Sequence, residues 1–302
     1  MGILQCIGNT PLVRIDGINP NPRVKVFAKL EGNNPGGSVK DRIALYMIEA
    51  AERDGKLTRD KIILEATSGN TGIGLAMVAT AKKYRVKLTM PACVSIERRR
   101  ILEAFGAELI LSPSEEGTDG AIRSAQRILS EEPETYFMPN QFDNEANILA
   151  HYETTGKEII EQTGGSITHF VAGMGTTGTL MGTGKRLKEF NKDIKIIGVE
   201  PALNHRIQGL KNMSESIVPK IFNPQKLDER YTVNDEEAFD TTRMLAVKEG
   251  IFAGMSSGAA MYIAIRKSSE LKEGVIVVIF PDRGDRYLST SLFTSVCAKC
   301  PP

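Results

Sequence analysis

The feature that most constrains this chain is a rhythm of short apolar runs, each followed by a stretch of helical character. The runs are "KVFAKL" (25–30), "KIILEA" (61–66), "VKLTMP" (86–91), "ELILS" (108–112), "ITHFVA" (167–172), "KIIGVE" (195–200) and "GVIVVIFP" (274–281). Such runs, bounded by small residues, read as strands buried on both faces. After the first of them, Ile43, Ala44, Met47, Ile48 and Ala51 recur at the three-to-four spacing of one helix face. Strands alternating with helices imply βαβ units and parallel sheets. At 302 residues the chain exceeds what one core usually organises, so two lobes are expected. The reading is therefore an α/β protein of two open parallel-sheet α/β lobes, with a cleft between them. The segment 202–229 breaks the rhythm: it is polar and irregular, and a loop of that length inside a compact domain is usually functional or mobile.

Charge directs the search for a partner. With 38 basic and 37 acidic side chains the net charge is +1, so no overall field draws in nucleic acid or an anionic membrane. A small molecule is the expected partner. No apolar run approaches the length of a membrane span, and the N-terminus lacks a basic segment followed by an apolar one. Four cysteines do not make a disulfide framework, and Cys297 and Cys300 form a single CxxC without a second half or a nearby His. No metal site is expected, and the compartment reads as cytoplasmic.

Three small-residue loops each open a helix: "TSGNTG" (67–72), "GMGTTGT" (173–179) and "GMSSGAA" (254–260). The first two also follow a strand. Ligands in open α/β sheets bind at the carboxyl ends of strands, and helix N-termini offer unpaired N–H groups to anions. "GMGTTG" matches the G-x-G-x-x-G dinucleotide pattern, and Glu200 stands 22 residues beyond Gly178, where a ribose-binding acid would. Against that, Thr176, Thr177 and Thr179 crowd the loop with hydroxyls, which suits a terminal phosphate monoester better than a bridging pyrophosphate. This loop alone leaves the two readings level.

A fourth segment, "NNPGGSVKDR" (33–42), places Lys40 at a helix start. Beside a helix N-terminus the charged amine is disfavoured, and a neutral lysine can condense with an aldehyde. The plainer reading is a capping box of Ser38 and Asp41, with Lys40 on an exposed first turn.

The segments taken in order, with "IGNTPLVRI" (7–15), "EATSGNTGIGLAM", "GMGTTGTLMGTGKRLKE", "EGIFAGMSSGAA" and "DRGDRYLST", resemble the cysteine synthases. These are fold-type II, tryptophan synthase β-like enzymes that use pyridoxal 5′-phosphate. The resemblance runs from about residue 3 to 293. It implies a mobile N-terminal domain of residues 1–12 and 35–144 and a phosphate-binding C-terminal domain of residues 13–34 and 145–302. It also implies that Lys40 carries the cofactor covalently and is the catalytic base. Gly175, Thr176, Thr177, Gly178 and Thr179 would form the phosphate cup. Asn70 would bond the 3′ oxygen, and Ser256 would face the pyridine nitrogen. Thr67, Ser68, Gly69, Thr71 and Gln141 would receive the substrate carboxylate.

The reaction so implied is β-replacement on O-acetyl-L-serine or O-phospho-L-serine, through an aminoacrylate, by sulfide or thiosulfate. The products would be L-cysteine or S-sulfocysteine. "DRGDRYLST" resembles the B form, whose pocket also admits thiosulfate. Lys211 in "GLKNMSES" stands where some relatives place a phosphate-binding arginine, so O-acetylserine is the expected donor. A homodimer is implied as well. Two alternatives stay open: a cystathionine β-synthase-like enzyme, and a non-catalytic regulatory or dinucleotide-binding protein on a similar fold.

Overall fold

Short β-rich runs followed by small residues fold as that alternation requires. In the computed structural model the described residues are 2–293 apart from Ser68, Ser95 and Ser216, with only the backbone of Glu97. Ser68 and the Cys297/Cys300 pair of the sequence analysis lie outside the described residues. The chain begins with β1 (Leu12–Ile15), β2 (Val24–Leu30), α1 (Lys40–Arg53), β3 (Ile62–Ala66), α2 (Asn70–Lys82) and β4 (Arg85–Pro91). Next come α3 (Ile96–Ala104), β5 (Glu108–Ser112), α4 (Gly117–Glu131), β6 (Tyr136–Phe137) and α5 (Glu145–Ala150). A π-helical turn, His151–Thr155, leads into α6 (Gly156–Gln162), β7 (His169–Gly173), α7 (Gly178–Phe190) and β8 (Lys195–Pro201). Then follow β9 (Glu229–Val233), α8 (Asp235–Glu249), α9 (Met255–Glu270) and β10 (Gly274–Phe280).

The chain divides into two units, Met1–Ile7 with Asn34–Asn147 and Gly8–Asn33 with Ile148–Pro302. The first carries a sheet in the order β5-β4-β3-β6, parallel throughout. Leu64 and Ala66 of β3 pack with Ala121 and Ala125 of α4. Because strand side chains alternate, Ile63 and Glu65 point to the opposite face. Helices α1 and α2 pack closely in this unit. A Cβ at Gly74 of α2 would stand 3.0 Å from the carbonyl oxygen of Lys40.

The second unit carries a sheet in the order β1-β2-β10-β7-β8-β9. Its strands are parallel except that β1 runs antiparallel to β2. The antiparallel edge has a simple cause. The connection "DGINPNPR" is too short for the crossover a parallel pair needs. Strand β10 is buried from Val275 to Phe280, as its unbroken apolar run requires. The polar strap 202–229 is anchored, not loose: Ile207, Leu210, Met213 and Ile221 are buried. Among the described residues no helix is long and apolar enough to cross a membrane.

Candidate active site

Lys40 is the first residue of α1, on a half-buried turn. The expected capping box is absent, because Val39 is the N-cap and its own side chain makes no cap hydrogen bond. Ser38 is fully buried and its hydroxyl accepts from the Lys40 N–H at 3.2 Å. Asp41 instead reaches back to accept from the Gly36 N–H at 2.6 Å. A Cβ at Gly36 would fall 2.5 Å from that carboxylate, so only glycine lets the loop close on Asp41. The loop before Lys40 is thereby tied to the first turn that carries it.

In the same unit, the loop after β3 leads into α2 at Asn70, with Gly69 as N-cap. Thr67 is buried and its N–H donates to the Thr89 carbonyl at 3.0 Å. The Thr71 hydroxyl donates to Gln141 Oε1 at 2.6 Å. So Thr71 and the distant "PNQFDN" segment come together. Behind them stands Glu65, which the sequence analysis did not single out although an acid in so apolar a strand was a usable signal. Burial pushes its carboxyl up to about 7, against two backbone N–H donors that favour the ionised form.

The second unit assembles the other set. Gly175 to Thr177 form the loop that heads α7, with Thr177 as N-cap in a left-handed conformation at φ 68°. The strap runs against this loop: the Lys211 N–H donates to the Met174 carbonyl at 2.8 Å. A Cβ at Gly175 would lie 2.6 Å from the Gly209 carbonyl oxygen, so the approach is as close as backbone permits. Ser256, 4% exposed, is the second residue of α9. Neither Ser256 nor Ser257 caps α9, whose N-cap is Gly254. A Cβ at Gly209 would stand 4.0 Å from Ser256 Oγ. Loop, strap and Ser256 therefore converge. His151 joins them unannounced by any pattern: it is fully buried, with Nε2 3.2 Å from Thr179 Oγ1 and Nδ1 2.9 Å from Thr155 Oγ1.

The loop suits a phosphate. Thr177 Oγ1 is buried without a hydrogen-bond partner among the described residues, and an orphaned hydroxyl of that kind calls for a ligand. It sits at the positive end of a helix, in a loop that contains no carboxylate. The dinucleotide reading loses its acid: Glu200 is held by Arg230, with Nε 2.7 Å from Oε1 and Nη2 2.5 Å from Oε2. Glu200 also accepts from the Met213 N–H at 3.2 Å, which ties it to the strap. Among the described residues no group of His, Cys, Asp and Glu is arranged to hold a metal ion.

Comparison with known proteins agrees with this geometry. Residues 3–282 match the family described as pyridoxal-phosphate dependent enzyme. The chain is 50% identical over 300 residues to the cysteine synthase of Aquifex aeolicus, covering 97% of this chain and 92% of that one. It is 48% identical over 289 residues to cysteine synthase B of Escherichia coli, covering 96% and 95%. The crystal structure of a cysteine synthase from Entamoeba histolytica superposes with a TM-score of 0.92 at 40% identity, covering 97% of this chain and 90% of that one. A phosphate-seeking loop, a lysine at a tied helix start and likeness over nearly the whole length lead to one conclusion: the chain belongs to the cysteine synthase family of enzymes that use pyridoxal 5′-phosphate.

Proposed function

We propose that this enzyme makes L-cysteine by replacing the β-substituent of O-acetyl-L-serine with sulfide, and that it also accepts thiosulfate to give S-sulfocysteine. The observation that carries the reading is the unsatisfied Thr177 hydroxyl at the head of α7, a place for the cofactor phosphate. Gly175, Thr176, Gly178 and Thr179 complete the cup. Ser256 would meet the ring nitrogen and Asn70 the 3′ oxygen. When bound, pyridoxal 5′-phosphate supplies an electron sink for negative charge at the substrate Cα. Lys40 would hold the cofactor, and its Nζ would remove the Cα proton and later return it. A serine hydroxyl at the ring nitrogen moderates the sink, which favours β-elimination over transamination. Thr67, Ser68, Gly69 and Thr71, with Gln141, fix the substrate carboxylate and exclude water from the reacting carbon.

Support for thiosulfate comes from the likeness to cysteine synthase B and from "DRGDRYLST". In that segment Asp282 is buried and accepts from the Tyr287 hydroxyl at 2.5 Å. The Lys211 backbone lies against the phosphate loop, and its amine is the group proposed to pair with an O-phosphoserine phosphate. Lysine pairs as a point charge without arginine's fork, which makes O-acetylserine the better donor. The test compares kcat/KM for the two donors in the native enzyme and in Lys211→Ala. Phosphoserine turnover that survives the substitution overturns the role of Lys211. Failure to form cysteine or S-sulfocysteine from either donor overturns the function. We place the enzyme in the cytoplasm as a homodimer, and light scattering on the purified protein should report two copies.

A further inference from the structure

We propose that Glu65 is a positioning residue that acts through Gln141, holding the backbone of the turn from which Gln141 meets the substrate loop. The proposal rests on the reading of Thr71 and Gln141 as substrate-carboxylate residues. Glu65 lies in β3, 2% exposed, two residues before Thr67. Its Oε2 accepts from the Asn140 N–H at 2.8 Å and its Oε1 from the Gln141 N–H at 3.3 Å. To present both N–H groups to one carboxylate the chain turns through Asn140 in a left-handed conformation, φ 52°. That conformation costs a non-glycine residue free energy and persists only where its surroundings demand it.

Gln141 is then fixed at three points. Glu65 takes its N–H, the Asn147 side-chain amide donates to its carbonyl at 2.8 Å, and the Thr71 hydroxyl donates to its Oε1 at 2.6 Å. With Oε1 committed as an acceptor, the donor end of the Gln141 amide is the Nε2 group, which is the end a carboxylate requires. Gln141 is itself 5% exposed, so a small rotation of the turn would carry the amide away from Thr71. A carboxylate inside a parallel strand is a costly way to fill space, since an apolar residue packs there without desolvating a charge. Burial makes the Glu65 carboxyl a weaker acid, with its pKa pushed up to about 7 from an ordinary 4.5, which is the direction that cost dictates. Glu65 spends its hydrogen-bonding capacity on two backbone groups of one turn, and that turn carries a substrate residue.

The test uses the holoenzyme and two variants, Glu65→Gln and Gln141→Ala, singly and together. Glu65→Gln keeps the size of the side chain but turns an amide N–H₂ toward one of the two donors. Hydrogen exchange of the Asn140 and Gln141 amides should quicken at least tenfold in Glu65→Gln, whatever the activity. KM for O-acetyl-L-serine should rise roughly tenfold, while the visible band of the bound cofactor and KM for sulfide stay as they are. In the double variant, Glu65→Gln should add no further rise to that of Gln141→Ala, because residues acting through one another are not additive. Unchanged exchange, or a full additive rise in the double variant, overturns the proposal. Unchanged KM in Gln141→Ala overturns the underlying reading of the carboxylate pocket and this proposal with it. A raised KM there with none in Glu65→Gln overturns the role of Glu65 alone. Should Glu65→Gln not fold, Glu65→Asp gives the same readings, since it keeps the charge and shortens the reach.

Discussion

Glu65 shows how a single side chain in this protein trades stability for placement. The carboxyl of Glu65 is held near 7 by burial, above the 4.5 it has when exposed. The folded state therefore binds the proton more tightly than the unfolded chain. Stability from this group is complete below about pH 4.5 and is lost as pH rises through about 7. The full loss is on the order of 3 kcal/mol. Urea titrations at several pH values should show the native protein losing stability across that window relative to Glu65→Gln. A difference that does not vary with pH contradicts the assignment. Above pH 7 Glu65→Gln should be no less stable than the native protein even though its substrate affinity falls, the pattern of a residue kept for function. Thr177 makes the complementary case. Its buried hydroxyl has no partner among the described residues and is proposed to bond the cofactor phosphate, so Thr177→Ala should weaken pyridoxal 5′-phosphate binding about tenfold or more. Fluorescence titration of the apoenzyme with the cofactor measures it, and unaltered affinity contradicts the phosphate-cup role.

Helices and loops carry these side chains, and close backbone contacts set their spacing. Gly74 lets α2 approach the carbonyl of Lys40; Gly74→Val should force the two helices apart, lowering kcat by an order of magnitude or more while the protein still folds. Steady-state kinetics beside thermal melting distinguish that outcome from simple unfolding. Gly175→Ala should likewise push the strap off the phosphate loop, because its methyl meets the Gly209 carbonyl. Much at this scale was legible beforehand. The buried parallel strands announced themselves as apolar runs, and each loop that opens α2, α7 and α9 was marked by glycine and hydroxyl residues. What the sequence concealed has physical reasons. β6 is two residues long, and β9, "ERYTV", alternates polar and apolar as an edge strand does. The capping box at Ser38 looked sound by spacing, but the helix begins later and Asp41 is drawn to Gly36. Glu200 matched a ribose-binding acid by spacing as well, until β9 brought Arg230 beside it. His151 and Glu65 act through contacts between residues far apart in sequence, which no local pattern records.

At the scale of the whole molecule, two α/β units are each built around their own sheet, and each carries a set of the proposed site residues. The first holds Lys40, the loop after β3 and Gln141. The second holds the phosphate loop, the strap and Ser256. Chemistry as distinct as a reactive amine and a phosphate cup has a shared purpose if both serve one cofactor, and family membership says that cofactor is pyridoxal 5′-phosphate. Which lysine carries it is then the central claim. Reduction of the purified holoenzyme with borohydride, followed by peptide mapping, tests it most directly. The account predicts that the visible band disappears and that the pyridoxyl group is found on Lys40 and on no other lysine, with Lys40→Ala giving no labelled peptide. A label on a different lysine, or a holoenzyme whose band survives reduction, would contradict it.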